Sequence, residues 1–161
     1  MKWFWLSAVV LLLDQGSKLL ADARLVFHEP VAVLPFFNLR LAYNTGAAFS
    51  FLGNAGGWQR WFFAGISVLV IGVLVVWMRR LKPDQWPLSL AFALIIGGAL
   101  GNLIDRLVYG HVIDFLDVYY KTWHWPTFNV ADSAIALGAG LLLWDAWLAH
   151  RREKQTAGKD A

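Results

Sequence analysis

Long apolar stretches separated by short charged ones dominate this chain. Trp61 to Met78 runs 18 residues without a charge, between Arg60 and Arg79, and Trp86 to Ile104 runs 19 before Asp105. About 20 mostly apolar residues suffice to cross a bilayer as a helix. Two further stretches are as long but carry charge: Trp3 to Leu20 holds Asp14 and Lys18, and Asn129 to Ala149 holds Asp132 and Asp145. The pattern predicts four spans, at about 3–21, 60–78, 86–105 and 129–149, in one membrane-embedded domain over 1–161 with a tail at 150–161. Between the first two spans the period changes. Val31–Leu34 and Phe36–Tyr43 read as short strands, and Pro30 and Pro35 break any helix there. Asn44-Thr45-Gly46 signals a turn, Ala47–Leu52 resumes an apolar run, and Gly53, Asn54, Gly56 and Gly57 form a flexible tip before Trp58. Residues 22–58 are therefore expected to form either a small β-sheet with a lid-like segment or a membrane-hugging connector.

Composition agrees with a membrane solvent. Of 161 residues, 58% are hydrophobic and 16% charged, against about 25% charged in soluble domains. There is no cysteine, which excludes a disulfide scaffold, a thiol catalyst and a thiolate zinc site. The net charge is +3, and its placement says more than its size. Lys2, then Arg79, Arg80 and Lys82, then Arg151, Arg152, Lys154 and Lys159 fall at alternate span ends. Basic residues near span ends mark the cytoplasmic side, so both termini are expected there and the two long connections outside. No basic stripe suggests nucleic-acid binding. A rival reading takes Lys2, the apolar Trp3–Leu13 and Ala21-Asp22-Ala23 as a cleaved secretory signal. Asp14 and Lys18, paired at i,i+4 on one helical face, are an odd investment in a discarded segment.

Ionisable groups at membrane depth are costly and mark function or pairing. Asp14 with Lys18 has a structural reading as an intrahelical ion pair. Asp105 and Arg106 end the third span, with Asn102 and Arg106 on one face. Gly97 and Gly101 give that span a G-x-x-x-G pair for close helix approach, and Ala134 and Gly138 offer a similar face on the fourth. Asp114, in Val112-Ile113-Asp114-Phe115, and Asp132, in Phe128-Asn129-Val130-Ala131-Asp132, are joined by a single outer loop. Two carboxylates in contact cannot both ionise cheaply, so one holds a proton while the other is a base. Such a pair activates water without a metal. The alternatives remain open. Asn129 can be a helix N-cap with Asp132 at N3. Asp114 can pair with Arg106 or Lys121. His111-x-x-Asp114-x-x-Asp117 with His124 can supply metal ligands. Ser133 has no histidine placed to serve it. A proton-relay transporter, a metal-dependent lipid-phosphate hydrolase and a non-catalytic assembly factor are the competing classes.

Gly97-Gly98-Ala99-Leu100-Gly101-Asn102-Leu103-Ile104-Asp105-Arg106, Val112–Phe115 and Phe128–Asp132 resemble the signatures of bacterial lipoprotein signal peptidase (signal peptidase II). So do Asp14-Gln15-Gly16-Ser17-Lys18 and Asn44-Thr45-Gly46-Ala47-Ala48-Phe49. The resemblance spans roughly residues 14 to 135. It implies an α-helical polytopic protein of the bacterial inner membrane, an aspartic endopeptidase without cofactor or metal. Its substrates would be prolipoproteins whose cysteine carries diacylglycerol, cut just before that cysteine. Asp114 and Asp132 would be catalytic, with roles not assigned between them. Asn44, Asn102, Arg106 and Asn129 would position substrate or the pair, and Asp14 and Lys18 would support the site. The resemblance also implies a periplasmic-side site, contact with membrane lipid, a monomer and inhibition by globomycin-type cyclic peptides.

Overall fold

The computed structural model describes residues 2–46 and 56–157. In chain order the elements are α1 (Phe4–Arg24), β1 (Pro30–Leu34), β2 (Phe37–Asn44), α2 (Trp58–Met78), α3 (Trp86–Val108), β3 (Val112–Tyr120), β4 (Trp123–His124) and α4 (Val130–Ala157). All four helices are long and apolar enough to cross a membrane. Their outward positions, such as Leu12, Leu69 and Leu143, are exposed apolar side chains, as lipid-facing surfaces require. The expected run Ala47–Leu52 and residues 53–55 of the Gly53–Trp58 tip lie outside the described residues.

The central helix is α3, which packs against α1, α2 and α4. Inward positions of α1 recur every three or four residues, at Ser7, Val10, Asp14, Lys18 and Ala21, the spacing that puts them on one helical face. Small residues let the helices meet. A Cβ on Gly97 would lie 2.7 Å from the Ser7 carbonyl oxygen, and one on Gly101 would strike Asp14 Oδ2. On the other side, a Cβ on Gly98 would strike the Ala131 carbonyl oxygen, and one on Gly138 would lie 2.6 Å from Ile95 Cγ1. The G-x-x-x-G pair thus serves α1, while Gly98 and Gly138 serve α4. Gly98→Ala forces a methyl against backbone, which cannot rotate away. The expected cost is roughly 1–3 kcal/mol, read as a lowered melting temperature in detergent; an unchanged melt would refute the close contact.

At one end of the bundle Leu74, Met78, Phe92, Ile95 and Ile96 form an apolar core with Trp3, Phe4 and Leu142. Lys2, the Arg79–Lys82 link and the last turns of α4 lie at this end. At the other end sits an antiparallel four-stranded sheet in the order β1-β2-β3-β4. Ala42 pairs with Asp114 and Asn44 with Val112, with a register shift between Leu39 and Ala42. The second long connection, read from sequence as a loop, therefore contributes a nine-residue strand. β3 pairs with β2 and also contacts α1 and α3. Its first four residues are buried on both faces, so apolar side chains do not alternate along it.

Candidate active site

The polar interior lies where the sheet meets the helix ends. Lys18 of α1 is almost wholly buried. Its ammonium contacts Asp14 Oδ2 at 2.8 Å, Asp105 Oδ2 at 2.8 Å and Asn102 Oδ1 at 2.9 Å. The ion pair expected within α1 is present, and a second carboxyl from α3 joins it. Asp105, which the sequence placed only at a span end, is fully buried. Its Oδ1 accepts from Gln15 Nε2 (2.8 Å) and its Oδ2 from the backbone N–H of Ile113 (3.1 Å). It therefore holds both the lysine and the strand residue next to Asp114. Asp14 Oδ1 accepts the backbone N–H of Ala131 in the first turn of α4 (2.8 Å).

Lys18 donates into Asn102 Oδ1, so the amide nitrogen of Asn102 must point the other way. It donates to Asp132 Oδ1 at 2.7 Å. Asn129, just before α4, is fully buried. Its Nδ2 reaches Asp114 Oδ1 at 2.7 Å and Asn102 Oδ1 at 3.3 Å, while its Oδ1 accepts the N–H of Asp132 at 2.8 Å. The N-cap expected at Asn129 is present, and the same side chain also reaches Asp114. Capping α4 fixes the Asn129 amide, and the fixed amide faces Asp114. The hydrogen-bonded chain runs Asp114–Asn129–Asn102–Asp132, with Lys18 feeding its centre.

Asn44, at the end of β2, hydrogen-bonds Asp114 and accepts the N–H of Gly46 at 2.9 Å. Arg106 Nη1 donates to the Asn102 carbonyl (3.2 Å) and Nη2 to the Gly46 carbonyl (3.3 Å). Its guanidinium sits over the Phe63 ring, 5.4 Å from the centroid. Neither Arg106 nor Lys121 pairs directly with Asp114 among the described residues. Asp114 is buried, and burial, followed by the charge of Asp132, pushes its carboxyl up to about 7. Hydrogen bonds from Asn44 and Asn129 and the charge of Lys18 oppose that rise.

The metal-ligand spacing does not converge. His111 packs on Tyr43, ring centroids 4.4 Å apart, and burial lowers its basicity. Asp117 turns to His124 Nδ1 (2.8 Å) and Asn38 (3.2 Å). No group of three or more potential ligands forms among the described residues. Ser133 Oγ donates to the Asn129 carbonyl and takes part in the cap. Two clefts open on the carboxylates. One, of about 400 Å³, is bounded by Asp132, Arg106, Val112, Phe128, Ile135 and Ala136. The other, of about 420 Å³, is bounded by Asp114, Arg40, His28, Tyr43 and His124.

Residues 6–148 match the family model described as signal peptidase (SPase) II. A lipoprotein signal peptidase of Photorhabdus laumondii is 55% identical over 148 residues, covering 92% of this chain and 89% of that one. One of Shewanella sediminis is 47% identical over 160 residues, covering 99% and 91%. A bacterial membrane enzyme solved by the in meso method at 2.3 Å resolution superposes with a TM-score of 0.82 at 29% identity, over 95% of this chain and 91% of that one. Together with the four-helix bundle, these likenesses define a membrane-embedded peptidase. The chain belongs to the signal peptidase II family.

Proposed function

We propose that the chain removes signal peptides from diacylglyceryl-modified prolipoproteins, cutting just before the lipidated cysteine, with Asp114 and Asp132 as the catalytic pair. The observation that carries the assignment is the amide chain from Asp114 through Asn129 and Asn102 to Asp132. Asp132 stands in the first turn of α4, where the helix dipole favours negative charge, and is the base. Asp114, in its dry strand, holds the shared proton. Asp132 takes a proton from water, and the hydroxide adds to the scissile carbonyl. Asp114 donates to the developing oxyanion. As the intermediate collapses, the C–N bond breaks, Asp132 returns its proton to the leaving cysteine amine, and the signal peptide departs as a carboxylic acid.

Asn102 and Asn129 orient the pair. Asn44 and Arg106 hold the substrate backbone, and Asp14 and Lys18 secure the architecture. The acyl chains of the substrate remain in lipid, where each buried CH₂ contributes about 0.8 kcal/mol, so the lipid supplies part of the recognition. The basic residues gathered at the end opposite the sheet support cytoplasmic termini and a site toward the periplasm of the inner membrane. The enzyme works as a monomer and without nucleic acid. A globomycin-type cyclic peptide seated against the pair is expected to block it.

The test is a reconstituted assay on prolipoprotein with and without diacylglycerol, products identified by mass. Cleavage before the cysteine, faster on the lipidated form, is expected; equal rates on both forms would remove lipid recognition. The same assay across pH tests the pair. Below about pH 7 Asp114 keeps its proton, and above it that carboxyl ionises. Activity should fall on the alkaline side near pH 7, a limb that belongs to the pair as a unit. Stability shares the sign. Between the ordinary value of 3.8 and about 7 the folded chain holds a proton that the unfolded chain has released. This group therefore stabilises the fold less as pH rises through that window.

A further inference from the structure

The hydrolysis uses neither Arg40, His28 nor His124, yet all three line the sheet-side cleft that ends at Asp114. Arg40 is half-buried on β2. Its hydrogen bond is a long one, 3.5 Å, to the ring Nδ1 of His28. Among the described residues no carboxylate lies within 4.0 Å of its guanidinium. An arginine is always charged, so the cleft holds a cation that no carboxylate of the described residues pairs within 4.0 Å. His124 is fixed beside it. The buried Asp117 grips Nδ1 at 2.8 Å, and Tyr119 stacks on the ring with centroids 5.3 Å apart. The other cleft, on the Asp132 side, has Arg106 and Asp132 in its wall but is more apolar, with Val112, Phe128, Ile135 and Ala136.

The substrate of the proposed reaction has three parts. The signal peptide and the acyl chains are apolar and belong with the more apolar cleft on the Asp132 side. The mature chain is polar and leaves the cysteine carbonyl toward water. It is the only part whose chemistry suits a cationic cleft on the extramembrane sheet. Distance sets the position that is read. Ala42 is the register partner of Asp114, and Arg40 lies two residues back along the same strand. At about 3.3 Å per extended residue, Arg40 faces the second or third residue beyond the cleaved bond.

We infer that the Arg40–His28–His124 cleft is the subsite for the first residues of the mature chain, and that Arg40 selects a carboxylate side chain at the second or third of them. This rests on the proposed cleavage. It would make processing rates depend on sequence beyond the lipidated cysteine. The pair it forms is only partly shielded, so the preference is modest and salt-sensitive.

Two lipidated prolipoproteins differing only there, one with Asp and one with Lys, are compared by kcat/KM at low salt. The unsubstituted enzyme should prefer Asp by up to about fivefold. The ratio should approach one in Arg40→Gln and invert in Arg40→Glu. Both substrates are measured on the same preparation, so a reduced yield of folded protein cancels in the ratio. Should Arg40→Glu not fold, Arg40→Gln decides alone. An Asp-to-Lys ratio that is the same in the unsubstituted enzyme and in Arg40→Gln would overturn the subsite. Failure of the cleavage reading looks different: Asp114→Asn would then cleave either substrate.

Discussion

Asp114→Asn and Asp132→Asn are each expected to abolish cleavage while leaving the bundle folded. Placement of a general acid or base contributes roughly 10² to 10⁴ in rate, and each carboxyl acts in more than one step, so a loss of at least about 10³-fold is expected. The fold should survive because an amide keeps the acceptor that each position needs. Asn129 Nδ2 at 2.7 Å finds an oxygen at residue 114, and Asn102 Nδ2 at 2.7 Å finds one at residue 132. Asp114→Asn also removes a carboxyl whose ionised form burial disfavours. Its melting temperature above pH 7 should therefore match or exceed that of the unsubstituted chain. Rates in the reconstituted assay and melts in detergent separate the two effects. Residual cleavage near the normal rate in either variant would reject the pair.

Lys18→Met is expected to damage both stability and activity. One buried ammonium bridges two carboxyls, Asp14 and Asp105, each at 2.8 Å. Removing one partner of a buried ion pair costs about 3–5 kcal/mol, because the remaining charge is left uncompensated. The lysine also fixes which end of the Asn102 amide faces Asp132, so surviving folded protein should show reduced kcat. Replacing Asp105 by Asn in the same chain removes one stranded carboxyl. The double variant should then melt above the sum of the single losses, the signature of residues sharing one network. A Lys18→Met protein melting within about 1 kcal/mol of the unsubstituted chain would show that the cluster is not held by the ammonium.

What could be read without coordinates followed from local signals. The four spans showed as apolar runs, the Asp14–Lys18 pair as helical spacing, and β1 and β2 as alternation after prolines. β3 escaped because Val112–Phe115 is buried on both faces and so does not alternate. Its run of β-branched and aromatic residues after Gly110 was the available cue. Asp105 escaped for a different reason. Its partners, Lys18 and Gln15, are separated from it by most of the first three helices, and no periodicity encodes that meeting. The helix cap at Asn129 does not exclude the proposed pair. A side-chain amide has two ends, and Asn129 uses one for each task.

The grip of Asp14 on the backbone of Ala131 joins the first helix to the last. Residues 129 to 132 are the last part of the proposed site to leave the ribosome. A nascent chain with three helices inserted has neither the second carboxylate nor the amide that aims the first. On the proposed assignment it would not cut a neighbouring lipoprotein, and Asp14 meets its Ala131 partner only once the fourth helix is in place. Under that assignment, hydrolysis would wait until the two ends of the chain meet.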